Sequence, residues 1–129
     1  MRRILIDTNV YSRLMSGDTG ITGTLNRYET VLISPVVIGE LLDGFRGGNR
    51  DRENRAALER FCAKPRSLKI SITDQTAEWF AVIKQNLKTA GKPIPLNDVW
   101  IAASAMEQGA VLFTFDTHFA AIQGLLHTG

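Results

Sequence analysis

The sequence predicts an α/β fold: a central, mostly parallel sheet of four or five strands flanked by helices, in one domain over residues 1–129. Three observations predict it. Short continuous apolar runs, Ile4-Leu5-Ile6, Val31-Leu32-Ile33 and Val111-Leu112-Phe113, have the pattern of strands covered on both faces, as parallel strands are. Between them lie longer segments with apolar residues at helical spacing and distinct start and stop signals. The first and last runs lead into acids, Asp7 and Asp116, at the carboxyl edge where open α/β sheets bind ligands.

Each element follows from its own residues. After the first strand, Asn9 to Met15 reads as a short helix, with Asp7 as its capping residue or as a site acid. Ser16-Gly17-Asp18-Thr19-Gly20 reads as a break, and a second short helix is expected from about Thr22 to Arg27. Val31-Leu32-Ile33 is the second strand. Ser34 then supplies an N-cap and Pro35 a first helical residue, for a helix that stops at Gly47-Gly48. Within it, Val37, Glu40, Leu41 and Gly44 are spaced i, i+3, i+4, i+7, which puts Glu40 on the inward face. A carboxylate there is costly unless it is protonated, bound to a cation or paired, for instance with an arginine.

A charged helix is expected from Asn49 to Lys64, closed by Pro65 and carrying Leu58, Phe61 and Cys62 on its apolar side. Leu68 to Ile72 alternates like a half-exposed edge strand. Thr73 caps a long helix that ends at Gly91 with Phe80, Ile83 and Leu87 inward; Trp79 beside them reads as packing or interface. A helix of mostly small residues follows Asn97-Asp98 as far as Gln108, and its small side chains let it lie close to the sheet. Ala110 to Phe115 is the next buried strand. Phe119 and Ile122 are expected to close the core, and Leu125-Leu126 to add a short edge strand.

Bulk properties narrow the class. The net charge is +2, and eight basic residues stand against three acids between Arg46 and Lys69. That flank, with Arg50, Arg52 and Arg55 as candidate phosphate contacts, is either a solvated helix face or an attractor for a polyanion. Arg2 and Arg3 precede only three apolar residues, unlike a signal peptide, and no run approaches a membrane span. The lone Cys62 has no internal disulfide partner and reads as a core thiol in a reducing, cytoplasmic setting. His118 and His127 have no Cys or His partner at metal-binding spacing, so no zinc site is expected.

The chemistry rests on four acids. Asp7 and Asp116 sit at strand ends; Glu40 and Asp98 sit in helices whose starts share that edge. Taken singly, each has a structural role open to it: a cap, an ion pair, or a favourable place in the helix dipole. Together, left bare, they would repel one another strongly. Oxygen-only ligands suit Mg2+ or Mn2+. Such a site can clamp a phosphate, activate water and steady a leaving oxygen.

These residues resemble the PIN-domain ribonucleases and, within them, the VapC toxins of bacterial toxin–antitoxin pairs. The likeness is carried by Asp7-Thr8-Asn9, by Glu40 in the helix opened by Ser34-Pro35, by Asn97-Asp98 with Trp100-Ile101-Ala102-Ala103, and by Thr114-Phe115-Asp116 with Phe119. It spans almost the whole chain, in the family's order. It implies a single PIN-like domain and a Mg2+-dependent endoribonuclease, with Mn2+ able to substitute. It also implies a homodimer silenced by a cognate VapB-type antitoxin. By position, Asp7, Glu40, Asp98 and Asp116 carry over as catalytic and metal-binding acids. Thr8, Asn9, Asn97 and Thr114 carry over as supporting residues.

Three rival readings fit the residues less well. A receiver-type phosphoacceptor module would need paired acids after the first strand and a Lys after a late one; Asp7 stands alone and no Lys follows Thr114. A DNA nuclease of the same fold would typically carry extra clamp segments. A non-catalytic binding module would have no need of all four acids. Histidines are scarce near the acids in sequence, with only His118 close to Asp116, which favours water over the ribose 2′-hydroxyl as nucleophile.

Overall fold

The structure, a computed structural model, describes residues 2–129. The chain runs β1 (Arg3–Ile6), α1 (Thr8–Met15), α2 (Thr19–Leu25), β2 (Thr30–Ile33), α3 (Pro35–Arg46), α4 (Asp51–Cys62), β3 (Ser67–Lys69), α5 (Asp74–Ala90), α6 (Leu96–Gln108), β4 (Val111–Phe113) and β5 (His127–Thr128), with a 3-10 turn at Thr117–Ala121. All five strands are parallel, in the order β3-β2-β1-β4-β5. The chain winds outward from β1 through β2 to β3, then crosses back to place β4 on the other side of β1. The β1/β4 boundary is therefore the switch point, where helices diverge above the strand ends and leave a crevice.

The three central strands form the core. Ile4, Leu5, Ile6, Leu32, Ile33 and Leu112 are fully buried, as strands covered on both faces must be. Each such aliphatic side chain contributes about 1.5–3 kcal/mol on leaving water. Helix α6 closes one face with Val99, Ile101, Ala102, Ala103 and Ala105. Its partner α5 is tied to it by Phe80 stacked on Trp100, ring centroids 4.1 Å apart, and by Thr76, whose hydroxyl donates to Glu107. Ser34 caps α3 through the Val36 amide, Thr73 caps α5, and Gly91 and Gly109 end α5 and α6 with φ of 67° and 59°. These are the left-handed values that glycine adopts without strain.

Four expectations are corrected. The short helix α2 begins at Thr19, because Asp18 accepts from the Gly20 amide and turns the expected break into a helix start. The third strand is Ser67–Lys69, not Leu68 to Ile72. The last strand is His127–Thr128, not Leu125-Leu126: Leu125 is buried at a turn and the pairing residues follow it. Gly44 is exposed and Glu40 half-buried, so Glu40 flanks the apolar stripe of α3 instead of lying within it. No helix among the described residues is long and apolar enough to cross a membrane.

Candidate metal centre

The register of the sheet builds the site. Ile6 is level with Phe113 in the β1–β4 pair, and the Asp7 amide still donates to the Phe113 carbonyl at 3.0 Å. The next residues, Asp7 and Thr114, therefore face one another across the switch point. Asp7 is 4% exposed. Its Oδ1 accepts from the Thr8 amide and its Oδ2 from the Thr114 hydroxyl, both at 2.8 Å. The Thr114 oxygen also accepts from the Asp116 amide at 3.1 Å, which fixes the turn that presents Asp116. Asp7 is thus both the cap of α1 and a carboxylate held in the crevice.

Glu40 reaches the same edge from α3. One carboxylate oxygen accepts from the Thr8 hydroxyl and the other from the Asn97 side-chain amide. The arginine partner entertained from sequence is not there: among the described residues no Lys or Arg forms an ion pair with any of the four acids. Asp98 lies in the first turn of α6, 7% exposed. Asn9, in α1, is exposed, and no side-chain hydrogen bond is found for it among the described residues.

The structure adds one residue that sequence reasoning set aside. His118, on the 3-10 turn after Asp116, places Nε2 2.7 Å from Asp98 Oδ2. One ligand atom each from Asp98, Asp116 and His118 lie within 4.8 Å of one another. The sequence signal was the nearness of His118 to Asp116. The contact that matters is with Asp98, twenty positions away, and no local pattern reports it.

Burial and mutual repulsion shape the electrostatics. Loss of hydration raises the Asp7 pKa, against the lowering effect of the Thr114 and Thr8 hydrogen bonds, and the charges of Asp116 and Glu40 raise it further. Burial likewise raises that of Asp98, against the pull of His118, with Asp7 and Asp116 adding to the rise. Asp7 and Asp98 thus each feel at least two other acids. A divalent cation would offset both the desolvation and the repulsion, so the donor set of oxygens and one imidazole nitrogen fits such an ion.

The arginines Arg50, Arg52 and Arg55 lie at the start of α4, away from these contacts. Arg50 and Arg55 pair with Glu53 and Asp51 of the same helix at 3.8 and 3.0 Å. Arg66, counted in the basic flank, is used structurally: its guanidinium donates to the Tyr28 carbonyl at 2.8 Å and also to that of Leu25.

Fold and site together define a parallel α/β protein with carboxylates clustered at the carboxyl edge of its sheet. Residues 4–125 match the PIN domain family, and the chain belongs to it. It is 29% identical over 128 residues to Ribonuclease VapC4 of Mycobacterium tuberculosis, covering 95% of this chain and 92% of that protein. A VapBC-1 structure from nontypeable Haemophilus influenzae matches with a TM-score of 0.87 at 25% identity, over 98% of this chain and 96% of that one. A DNA-bound VapBC from Salmonella typhimurium shares the fold with a TM-score of 0.89 at 24% identity, over 99% and 98% of the two chains.

Proposed function

We propose that this chain is a VapC-type endoribonuclease toxin that hydrolyses RNA phosphodiester bonds with Mg2+ held by Asp7, Glu40, Asp98 and Asp116. The observation that carries the reading is the approach of ligand atoms from Asp98, Asp116 and His118 to within 4.8 Å of one another, beside the held carboxylates of Asp7 and Glu40, with no lysine or arginine paired to these acids among the described residues. Membership of the PIN domain family and similarity to a protein named as a ribonuclease support it.

When bound, the cation supplies Lewis-acid stabilisation of charge on the scissile phosphate and on the attacking and departing oxygens. The chain's own residues supply the positioning. Thr8 and Asn97 hold both oxygens of Glu40, and Thr114 and the Thr8 amide hold Asp7. Each held carboxylate keeps lone pairs free for a ligand. The walls of the crevice lower the local dielectric, which strengthens these interactions.

Water is the nucleophile in this reading. Attack by the 2′-hydroxyl calls for a paired base and acid, usually histidines. Only His118 touches the acids; His127 is exposed on the edge strand β5. Cleavage should stop in EDTA, return with Mg2+ or Mn2+, and leave 5′-phosphate and 3′-hydroxyl ends. An RNA with a single 2′-deoxy sugar at the cut site should still be cut. Resistance of that substrate, together with 2′,3′-cyclic phosphate ends on the normal one, overturns the mechanism.

The same site accounts for inhibition by a VapB-type antitoxin. An arginine from such a partner would pair with the carboxylates in the cation's place. A co-purified complex should be inactive and regain activity when the antitoxin is proteolysed. Trp79 and Val82 on α5 and Leu96 at the start of α6 are exposed apolar residues suited to a homodimer contact.

A further inference from the structure

We propose that His118 is a nitrogen ligand of the cation in this site, so that the chain binds Mn2+ more tightly than the Mg2+ that also supports the proposed reaction. The inference rests on the acids binding a divalent cation, the function proposed for them. It goes further in adding a ligand and in naming the ion.

Geometry carries it. Around an ion with bonds of about 2.1 Å, neighbouring ligand atoms stand about 3 Å apart and opposite ones about 4.2 Å apart. The Nε2–Oδ2 distance of 2.7 Å between His118 and Asp98 is close to the neighbouring separation. The spread of 4.8 Å over Asp98, Asp116 and His118 closes to the opposite separation with a shift of a few tenths of an ångström on average per atom. These three residues can therefore bind one ion without rebuilding the site.

The imidazole is also held in place. His118 follows Asp116 by two residues on the 3-10 turn, and that turn is anchored by the fully buried Phe119. The His118 and Phe119 rings pack with centroids 4.9 Å apart. The side chain of His118 is 36% exposed, against 10% for that of Asp98, so the ring lies on the solvent side of the acid it contacts. An imidazole ligand favours a transition ion over Mg2+, which prefers oxygen donors.

A histidine that merely orients Asp98 would also weaken metal binding when removed, by about 10–100-fold for either ion. The test must therefore separate ligand from support. Mn2+ binding to the metal-free protein is followed by the loss of the free-ion EPR signal, and Mg2+ by its displacement of Mn2+. Wild type should hold Mn2+ at least about tenfold more tightly than Mg2+. His118→Gln should lose most of that preference, with Mg2+ affinity altered less than Mn2+ affinity. Pulsed EPR of the Mn2+-loaded wild type should show coupling to an imidazole 14N nucleus, absent in His118→Gln.

Equal weakening of both ions, or no 14N coupling in the wild type, returns His118 to a positioning role and overturns the proposal. The wild-type spectrum decides even if the variant fails to fold. Failure of the underlying reading looks different. If Mn2+ does not bind the wild type, or binds Asp98→Asn equally well, the four-acid site itself falls and this inference with it.

Discussion

Replacing Asp98 by Asn separates the metal role proposed for the acids from their structural role. The side chain keeps its shape and an acceptor oxygen but loses its charge. Two effects oppose one another in the metal-free protein. The contact to His118 is weakened, a loss of about 1 kcal/mol for an ordinary hydrogen bond. Against that, a buried carboxylate whose ionisation is disfavoured by desolvation, Asp7 and Asp116 is removed. The metal-free melting temperature should therefore stay level or rise. The metal-loaded protein behaves otherwise. An ion present at a hundred times its dissociation constant stabilises the folded state by about 2.7 kcal/mol. For a domain of 129 residues, that corresponds to a rise of roughly 10 °C in melting temperature. Asp98→Asn should lose most of this rise, and RNA cleavage with it. Differential scanning fluorimetry with and without Mg2+, beside a cleavage assay at limiting Mg2+, measures both. Near-normal turnover, or a full metal-induced rise in the variant, would refute the assignment of Asp98 to the cation.

Three further outcomes are expected. Asp7 and Asp98 have folded pKa values above their ordinary 3.8, so in that window the folded state binds more protons than the unfolded one and stability is lost as pH rises; in EDTA, Asp7→Asn should gain stability relative to wild type between about pH 4 and neutrality, and a flat difference in urea midpoints would contradict this. Changing Arg50, Arg52 and Arg55 together to Gln should weaken RNA binding and lower the log–log salt slope by about 0.7 to 2; no change in either quantity in filter binding would leave those arginines as a solvated face paired with Glu53 and Asp51. Tyr11 is 2% exposed and its hydroxyl is buried with no hydrogen-bond partner among the described residues, so Tyr11→Phe should be neutral or stabilising by up to about 1 kcal/mol in chemical denaturation; a clear loss of stability would mean the hydroxyl is satisfied.

What was legible in the sequence was set by local physics. The apolar runs at Ile4 and Val31 became β1 and β2 because both faces of a central parallel strand are covered, and their shortness and β-branched residues set them apart from a buried helix. Ser34-Pro35, Thr73, Gly91 and Gly109 marked helix ends because capping involves residues only a few positions apart. The misses share the opposite cause. Strand β5 is two residues long, too short for any periodicity, and pairs only because β4 offers an edge. At α2, the expected break became a start: Gly17, at a φ of 93°, turns the chain and Asp18 caps the helix after it.

The candidate site divides along the same line. The acids were visible because three of them stand beside a strand end or helix start, and α/β topology brings such places to one edge without any knowledge of contacts. Their partners were not visible. Thr8 and Asn97 meet at Glu40 from sequence separations of 32 and 57, and His118 meets Asp98 from 20. Helical spacing assigned Glu40 to the inward face, but the rotation of α3 on the sheet moved it to the rim, within reach of Asn97. That displacement has a chemical consequence. Fully enclosed, Glu40 would have needed a proton or a permanent cationic partner. On the rim, two neutral donors satisfy it, and among the described residues no lysine or arginine forms an ion pair with the acids of the pocket. A site arranged in this way favours a cation from outside the chain. In the proposed site, the balance between Mg2+ and Mn2+ would rest on the imidazole that the turn after Asp116 brings to Asp98.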